Sequence, residues 1–595
     1  MNNYNKKPDS RQKIKTLTYQ EYRSCANKEL AQRQKTLEAE KAKLGHDKTS
    51  WEDFAKLSLG GMHQAQASAI IELQNDHKLL QEQREIFESI ICIEPSKLPE
   101  TLNTVEKLLL KESPNHIYQR SGKLVRVTKI CNSPSSKKSP IKRSPDTEII
   151  KEIDPAFLTI HLTKIGKFVQ FDGRSGKIRD IDCPERIARF FLAKATWETP
   201  VLTGIINAPT LRTDGSILDQ PGYDSDSGLL FLSGDCIFEK IPDQATKDDA
   251  LKARDRLLDL LKDFSFEDDV GVSVALAALL TALIRKSIAT APLFGFTAPK
   301  MSSGKSLLTN VIALIATGKN NKPISQAEND TEEKKRILAI LLEGDPIICY
   351  DNIEKPFGND ALCVILTERE YKDRVLGISE TRTVATNATF LVTGNNLVFT
   401  GDISTRALLC KLDPQTEHPE DRSFDRNLYT YIPEKRGQLV QACLTILRSY
   451  HVEGRPPQPI KPFGRFEEWS NWVRSAIVWL GMKDPCESRK DIENNDPERR
   501  QLTSLLYALH AIFGETPFKV KELKDSLAQD SNDERYEKLK EALSEFAPGH
   551  QGEINWRSLG AKLGKAKNRI EDGMRLEVAG SCQKTTLWRV KKMDR

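Results

Sequence analysis

The segment that most constrains the fold is 298–306, Ala-Pro-Lys-Met-Ser-Ser-Gly-Lys-Ser. It follows an apolar, strand-like run at 291–296 and precedes a helical pattern, LLTNVIALIA. In a strand–loop–helix unit, backbone N–H groups at the loop and helix start can cradle phosphates. Pro299, Ser302, Ser303, Gly304, Lys305, Ser306 and Leu307 would form that cradle. Lys305 would reach the β- and γ-phosphates of ATP, and Ser306 would hold Mg2+. The usual pattern has glycine where Pro299 stands, and Gly-Lys-Ser alone recurs by chance. The flanking strand and helix give the motif its weight.

Two more apolar runs end in polar groups. Pro346-Ile347-Ile348-Cys349-Tyr350-Asp351 places a carboxylate 46 residues after Lys305. An acid at the C-terminal tip of a parallel strand lies beside the phosphate loop and can organise Mg2+. Standing alone, the same pattern is an ordinary strand followed by a turn aspartate. Phe390-Leu391-Val392-Thr393-Gly394-Asn395-Asn396 follows, with Asn395 44 residues past Asp351. Its amide can orient the attacking water or contact the γ-phosphate, or it can simply build an Asn-rich turn. Arg406, 11 residues later, is either a surface arginine starting a strand or a guanidinium that stabilises the transferring phosphoryl group. As a series the four motifs predict a parallel α/β ATPase over 246–454, with Lys305, Asp351, Asn395 and Arg406 as its catalytic set.

The stretches SSGKS, IICYDN and FLVTGNN, with that later arginine, together resemble the compact P-loop ATPase of superfamily-three helicases, within the AAA+ class. KRILAILLEG, DRVLGIS, TGNN and GDISTR are similar to replication helicases encoded by phages, plasmids and integrated genetic islands. Weaker similarity, from IYQRSGKLVRV and APTLRTDGSILDQPGYD to FEEWSNWVRSAIVWLG, extends over roughly 115–482. The resemblance implies an ATP- and Mg2+-dependent ring, usually a hexamer, that translocates on single-stranded DNA and acts on forks. It leaves room for an initiator or a primase as partner, although no primase signature is present. It assigns Lys305 and Ser306 to the phosphate loop, Asp351 to the metal, Asn395 to a sensor and Arg406 to a finger acting in trans. It also implies a β-hairpin within 371–387, turning at Ser379-Glu380, that brings Lys372, Arg374 and Arg382 to DNA. Arg374 suits cross-strand or interface pairing equally well. Many members carry two adjacent acids at the strand tip. Here Asn352 follows Asp351, so the water-activating base is unassigned, and Glu354 is badly placed by spacing. Two other readings stand beside the helicase: a DNA-dependent AAA+ ATPase that remodels without unwinding, and a nonenzymatic, ATP-switched initiator.

The remaining chain divides by pattern into a helical, charged region at 1–115, an α+β domain at 116–245 that looks mainly β, a helical connector at 455–499 and a C-terminal unit at 500–595. Asp172, Asp180, Asp182, Asp214, Asp219 and Asp224 form either a metal cluster or turns beside glycine, and turns are the commoner outcome. The last unit reads as helices capped by two basic strands, a winged-helix-like arrangement. Lys562, Lys565, Lys567 and Arg569 would lie on or after its recognition helix, and Arg575, Lys584 and Arg589 on the wing. Such cations meet DNA phosphates, or form a solvated face of a protein-binding module.

Charge supports a polyanion. The net value is only +5, from 89 basic and 84 acidic residues, but its distribution is uneven. Residues 1–50 hold 12 basic against 6 acidic, 118–145 hold 8 against none, and 556–595 hold 11 against 4. Any one such run is commonly solvated surface. The longest charge-free apolar run, 270–284, spans 15 residues, short of the roughly 20 a membrane helix needs, and predicts a buried core helix. The N-terminus has no apolar signal region, and the 11 cysteines show no C-x-x-C spacing. Both favour a reducing, cytoplasmic setting without a membrane.

Overall fold

The computed structural model describes residues 19–57, 64–88, 90–94, 96–112, 116–130, 147–172, 177–375, 380–422, 425–528, 533–550, 553–582 and 585–593. The expected basic loop at 131–145, the turn residue Ser379 and Lys584 lie outside them. The chain forms two compact units, Met1–Val127 with Lys151–Val201, and Thr128–Ile150 with Leu202–Arg595.

In the first unit, the expected helices are Tyr19–Lys43 and Gln64–Glu88. Leu37, Phe54, Ile70, Leu73 and Leu80 close a small core. A three-stranded sheet follows, in which Lys167–Asp172 pairs in parallel with Ile90–Cys92 and antiparallel with Lys177–Ile181. Helices Pro155–Ile165 and Glu185–Ala193 flank this sheet, so the region is less β-rich than its sequence suggests. The first of these starts at a capped end: Asp154 accepts from the Phe157 N–H, with Pro155 in the first turn.

The 116–245 segment is shared between the two units rather than forming one domain. The physical reason is that its second half packs on the larger core. Thr210 Oγ1 donates to the Leu283 carbonyl, and Arg448 donates to the carbonyls of Gly215 and Asp243. Its aspartates serve as turn and ion-pair residues: Asp214 accepts from Ser216, Asp224 pairs with Arg212, and Asp180 with Lys167. Among the described residues no group of three His, Cys, Asp or Glu could hold a metal.

In the larger core, Thr246 caps helix Lys247–Leu261 through a reciprocal capping box. Helix α1 (Asp269–Ile284) is apolar on all sides and almost wholly buried. It is the one described helix, extended to Ser287, long and apolar enough to cross a membrane. Here it is core. Strand β1 (Leu293–Ala298) and helix α2 (Lys305–Thr317) follow, then α3 (Asp330–Glu343) and β2 (Ile347–Ile353). Strands β3 (Glu370–Arg374) and β4 (Thr381–Ala385) form an antiparallel hairpin. Strands β5 (Thr389–Asn395) and β6 (Ala407–Lys411) complete a four-stranded, all-parallel sheet ordered β2-β5-β1-β6. Such a sheet needs cover on both faces, and its strands accordingly read as continuous apolar runs.

Helix α4 (Leu428–Val452) braces α2. Arg436 donates from Nε to the Ile315 carbonyl and from Nη2 to those of Ala316 and Asn207, satisfying carbonyls at the end of α2. Gly318 turns there at φ 74°, and a Cβ would meet Arg436 at 3.0 Å. The 455–499 segment is part of this core rather than a connector. Trp469 is fully buried and donates to Thr281 Oγ1 on α1 at 2.8 Å.

The C-terminal unit has its own core, including Leu505, Leu539, Leu559 and Trp588. It contains helices Pro497–Phe513, Val520–Ala528 and Glu534–Phe546, then α5 (Trp556–Ala566) and the hairpin of β7 (Met574–Cys582) with β8 (Thr585–Lys592). Phe518 pairs with Trp588, adding an extended piece beside the hairpin.

Candidate active site

Strand β1 lies between β5 and β6 and is buried along its whole length, which fixes the loop that leaves it. In that loop the positive-φ positions are Ser302 (57°) and Gly304 (93°), not 299. Pro299 therefore asks nothing of the backbone that proline cannot give, since its φ is held near −65°. Gly304 is where glycine is needed, because its left-handed conformation starts α2 at Lys305. Ser303 Oγ donates back to the Lys300 carbonyl at 2.8 Å and staples the loop.

Lys305 is 8% exposed. Its Nζ donates to Asn395 Oδ1 at 2.8 Å and to the Lys300 carbonyl at 2.9 Å. Burial lowers its pKa from the usual lysine value, and the charge of Asp351 opposes that shift. Ser306 Oγ donates to Asp351 Oδ1 at 2.8 Å. Residues from α2, β2 and β5 thus meet at the C-terminal end of the sheet.

Thr393 belongs to the same cluster and was missed by sequence reasoning. Its Oγ1 donates to Asp351 Oδ1 and accepts from the Asn352 N–H at 3.0 Å. The available signal was a lone hydroxyl inside the apolar run Phe390-Leu391-Val392 before Gly394. Ser306 and Asp351 supply the hydroxyl and carboxylate oxygens that a hard divalent cation takes, so the donor set fits Mg2+. A cleft of about 310 Å3 opens beside the loop, its walls including Pro299, Asn396, Lys411 and Arg500. A separate cavity of about 90 Å3, lined by Lys319, Asn207 and Ile347, contains none of these site residues.

Arg406 is outside this network. It stands just before β6, whose Ala407 pairs with Leu293 at the start of β1, whereas the loop leaves the other end of that strand. Five strand residues at about 3.3 Å each separate the two ends. The guanidinium is 9% exposed and pairs with Asp402 of its own chain at 3.2 Å.

The hairpin exists in the expected place. Lys372 and Arg374 are exposed on β3. Arg382, on β4, is 11% exposed and pairs with Glu380 at 2.7 Å. In the C-terminal unit, Lys565 and Lys567 are exposed at the end of α5, and Arg569 pairs with Glu571. Lys562 instead donates to the Phe546 carbonyl at 2.7 Å and caps a helix end. Arg575 and Arg589 both pair with Glu577.

No family model matches the chain, and no curated protein matches it. Solved structures similar to it include the C-terminal region of NrS-1, at 13% identity and a TM-score of 0.33, covering 74% of this chain and 99% of that one. SCCmec type IV Cch, described as an active helicase, gives 10% identity and a TM-score of 0.29, covering 80% and 97%. JCV helicase gives 11% and 0.19, covering 40% and 67%. At these scores the superpositions are loose, and none of the three speaks to chemistry.

Proposed function

We propose that this chain is an ATP-dependent DNA helicase with a P-loop core of the AAA+, superfamily-three type, serving replication of a phage or mobile element. One observation carries the reading: Lys305, Ser306, Asp351 and Asn395 are joined by direct hydrogen bonds at the tips of neighbouring parallel strands. In it, Lys305 and the loop N–H groups bind the triphosphate, and Asn395 positions Lys305. Ser306 and Asp351 hold Mg2+, which neutralises charge developing on the phosphates when bound. The position of Arg406, a strand length from the loop, fits action on a triphosphate held by a second copy in a closed ring. Lys372 and Arg374 are the hairpin cations for single-stranded DNA, and a winged-helix-like C-terminal unit offers Lys565 and Lys567 to phosphates.

The test is DNA-stimulated ATP hydrolysis and fork unwinding by the wild type and Lys305→Ala. Hydrolysis that rises with single-stranded DNA and unwinding lost in Lys305→Ala support the reading. A wild type whose hydrolysis ignores DNA overturns the helicase. A second reading, an initiator that uses ATP only as a switch, draws support from Asn352 where a second acid would stand.

A further inference from the structure

Asn352 breaks the strand in a way that changes which acid faces the site. Strands β2 and β5 run in register from Ile347↔Thr389 to Tyr350↔Val392, and then Ile353 pairs with Gly394. Asp351 and Asn352 together oppose the single residue Thr393, which is a β-bulge. Asn352 takes φ 55°, a left-handed conformation that asparagine tolerates better than most residues. Its N–H is satisfied by Thr393 Oγ1.

The consequence is a change of parity. In a regular strand, Asp351 and Glu354 would point to opposite faces. One inserted residue reverses this beyond the bulge. The register shows it: Tyr350 and Ile353 pair with Val392 and Gly394, two residues apart and so on one face, while Asp351 lies on the other with Thr393. The strand ends at Ile353; the same alternation carried one residue further assigns Glu354 to the side of Asp351, Thr393 and Asn395.

We propose that Glu354 is the general base of ATP hydrolysis in this chain, an assignment that rests on the ATPase reading above. Its exposed carboxylate takes a proton from water as the water oxygen bonds to the γ-phosphorus. The bond from γ-phosphorus to the β,γ-bridging oxygen breaks, ADP and inorganic phosphate leave, and the proton passes from Glu354 to solvent. Asn352 Nδ2 lies 3.4 Å from Glu354 Oε1 and holds that oxygen, so the other takes the proton.

The experiment uses the full chain, a fluorescent ATP analogue for binding and single-turnover hydrolysis of ATP. Glu354→Gln binds the analogue within about two-fold of wild type and hydrolyses ATP at least about 100-fold more slowly, the scale of a lost general base. Glu354→Asp keeps part of the activity. Glu354→Gln that hydrolyses within about three-fold of an active wild type overturns the base and leaves the ATPase standing. Loss of analogue binding in Glu354→Gln also overturns it, because a base is not needed to bind. A wild type that binds but never hydrolyses removes the ATPase reading, and the base with it.

Discussion

Ser306 Oγ and Asp351 Oδ1 lie 2.8 Å apart, tying the first turn of α2 to the tip of β2. This bond joins the two groups that would share a divalent cation. Ser306→Ala removes one partly exposed hydrogen bond, at a cost of about 1 kcal/mol or less in urea unfolding without nucleotide. The same change lowers Mg2+-dependent ATP hydrolysis by at least about ten-fold, because it removes an oxygen donor where charge develops. Equal small losses in both measurements would deny Ser306 a role at the metal.

Glu333 on α3 is 3% exposed. It accepts from the Tyr350 hydroxyl at 2.5 Å, from Arg336 at 2.7 Å and from the Ala327 N–H at 2.8 Å. Burial, then the Glu333 charge, pushes the Tyr350 hydroxyl well above the usual tyrosine range. Glu333→Ala leaves a buried arginine without its counter-ion and costs about 3–5 kcal/mol in denaturant unfolding. Tyr350 immediately precedes Asp351, so nucleotide affinity falls in the same variant.

Asp224 is held at a pKa of about 2 by its hydrogen bond from Arg212, with Ser227 adding to the effect. Its folded value lies below its unfolded one. Its contribution to stability is complete above about pH 4 and disappears as pH falls through about 2. Asp224→Asn is less stable than wild type by about 1–3 kcal/mol at pH 7. The gap in melting temperature narrows between pH 4 and pH 2. A gap that is constant across that window contradicts the ion pair's role.

Arg406 is expected to serve a neighbouring subunit. Lys305→Ala and Arg406→Ala are each inactive in ATP hydrolysis alone. Mixed, they regain a fraction of activity at interfaces that pair an intact loop with an intact arginine. A mixture as inactive as either parent argues that Arg406 acts within its own chain or only supports the fold through Asp402.

The C-terminal cations should separate by environment. Lys565→Ala with Lys567→Ala weakens DNA binding and reduces the slope of log affinity against log salt by up to about 2. Lys562→Ala acts mainly on stability, since its ammonium caps the Phe546 carbonyl. A double variant with an unchanged salt slope places the DNA face elsewhere.

Some of this was legible because it is local. Helices Tyr19–Lys43 and Glu534–Phe546 are regular runs of good helix formers. The hairpin of β3 and β4 was expected from the helicase resemblance alone, whereas the terminal strands lie in β-branched and aromatic runs. Helix Pro155–Ile165 was passed over although Asp154-Pro155 marks its start, because its apolar content has no clear amphipathic period.

By itself, the sequence settled the strand–loop–helix unit around Gly304-Lys305-Ser306 and the apolar strands that carry Asp351 and Asn395, because those features depend on neighbours in the chain. Only the tertiary structure decided that β5 lies between β1 and β2, which sets Asn395 against Lys305 and Thr393 against Asp351. It alone separated the solvent-facing Lys565 and Lys567 from the internally committed Lys562 and Arg382. The bulge after Tyr350 belongs there too. Strand order, register and ion pairing are fixed by packing between segments far apart in the chain, and no local pattern encodes them.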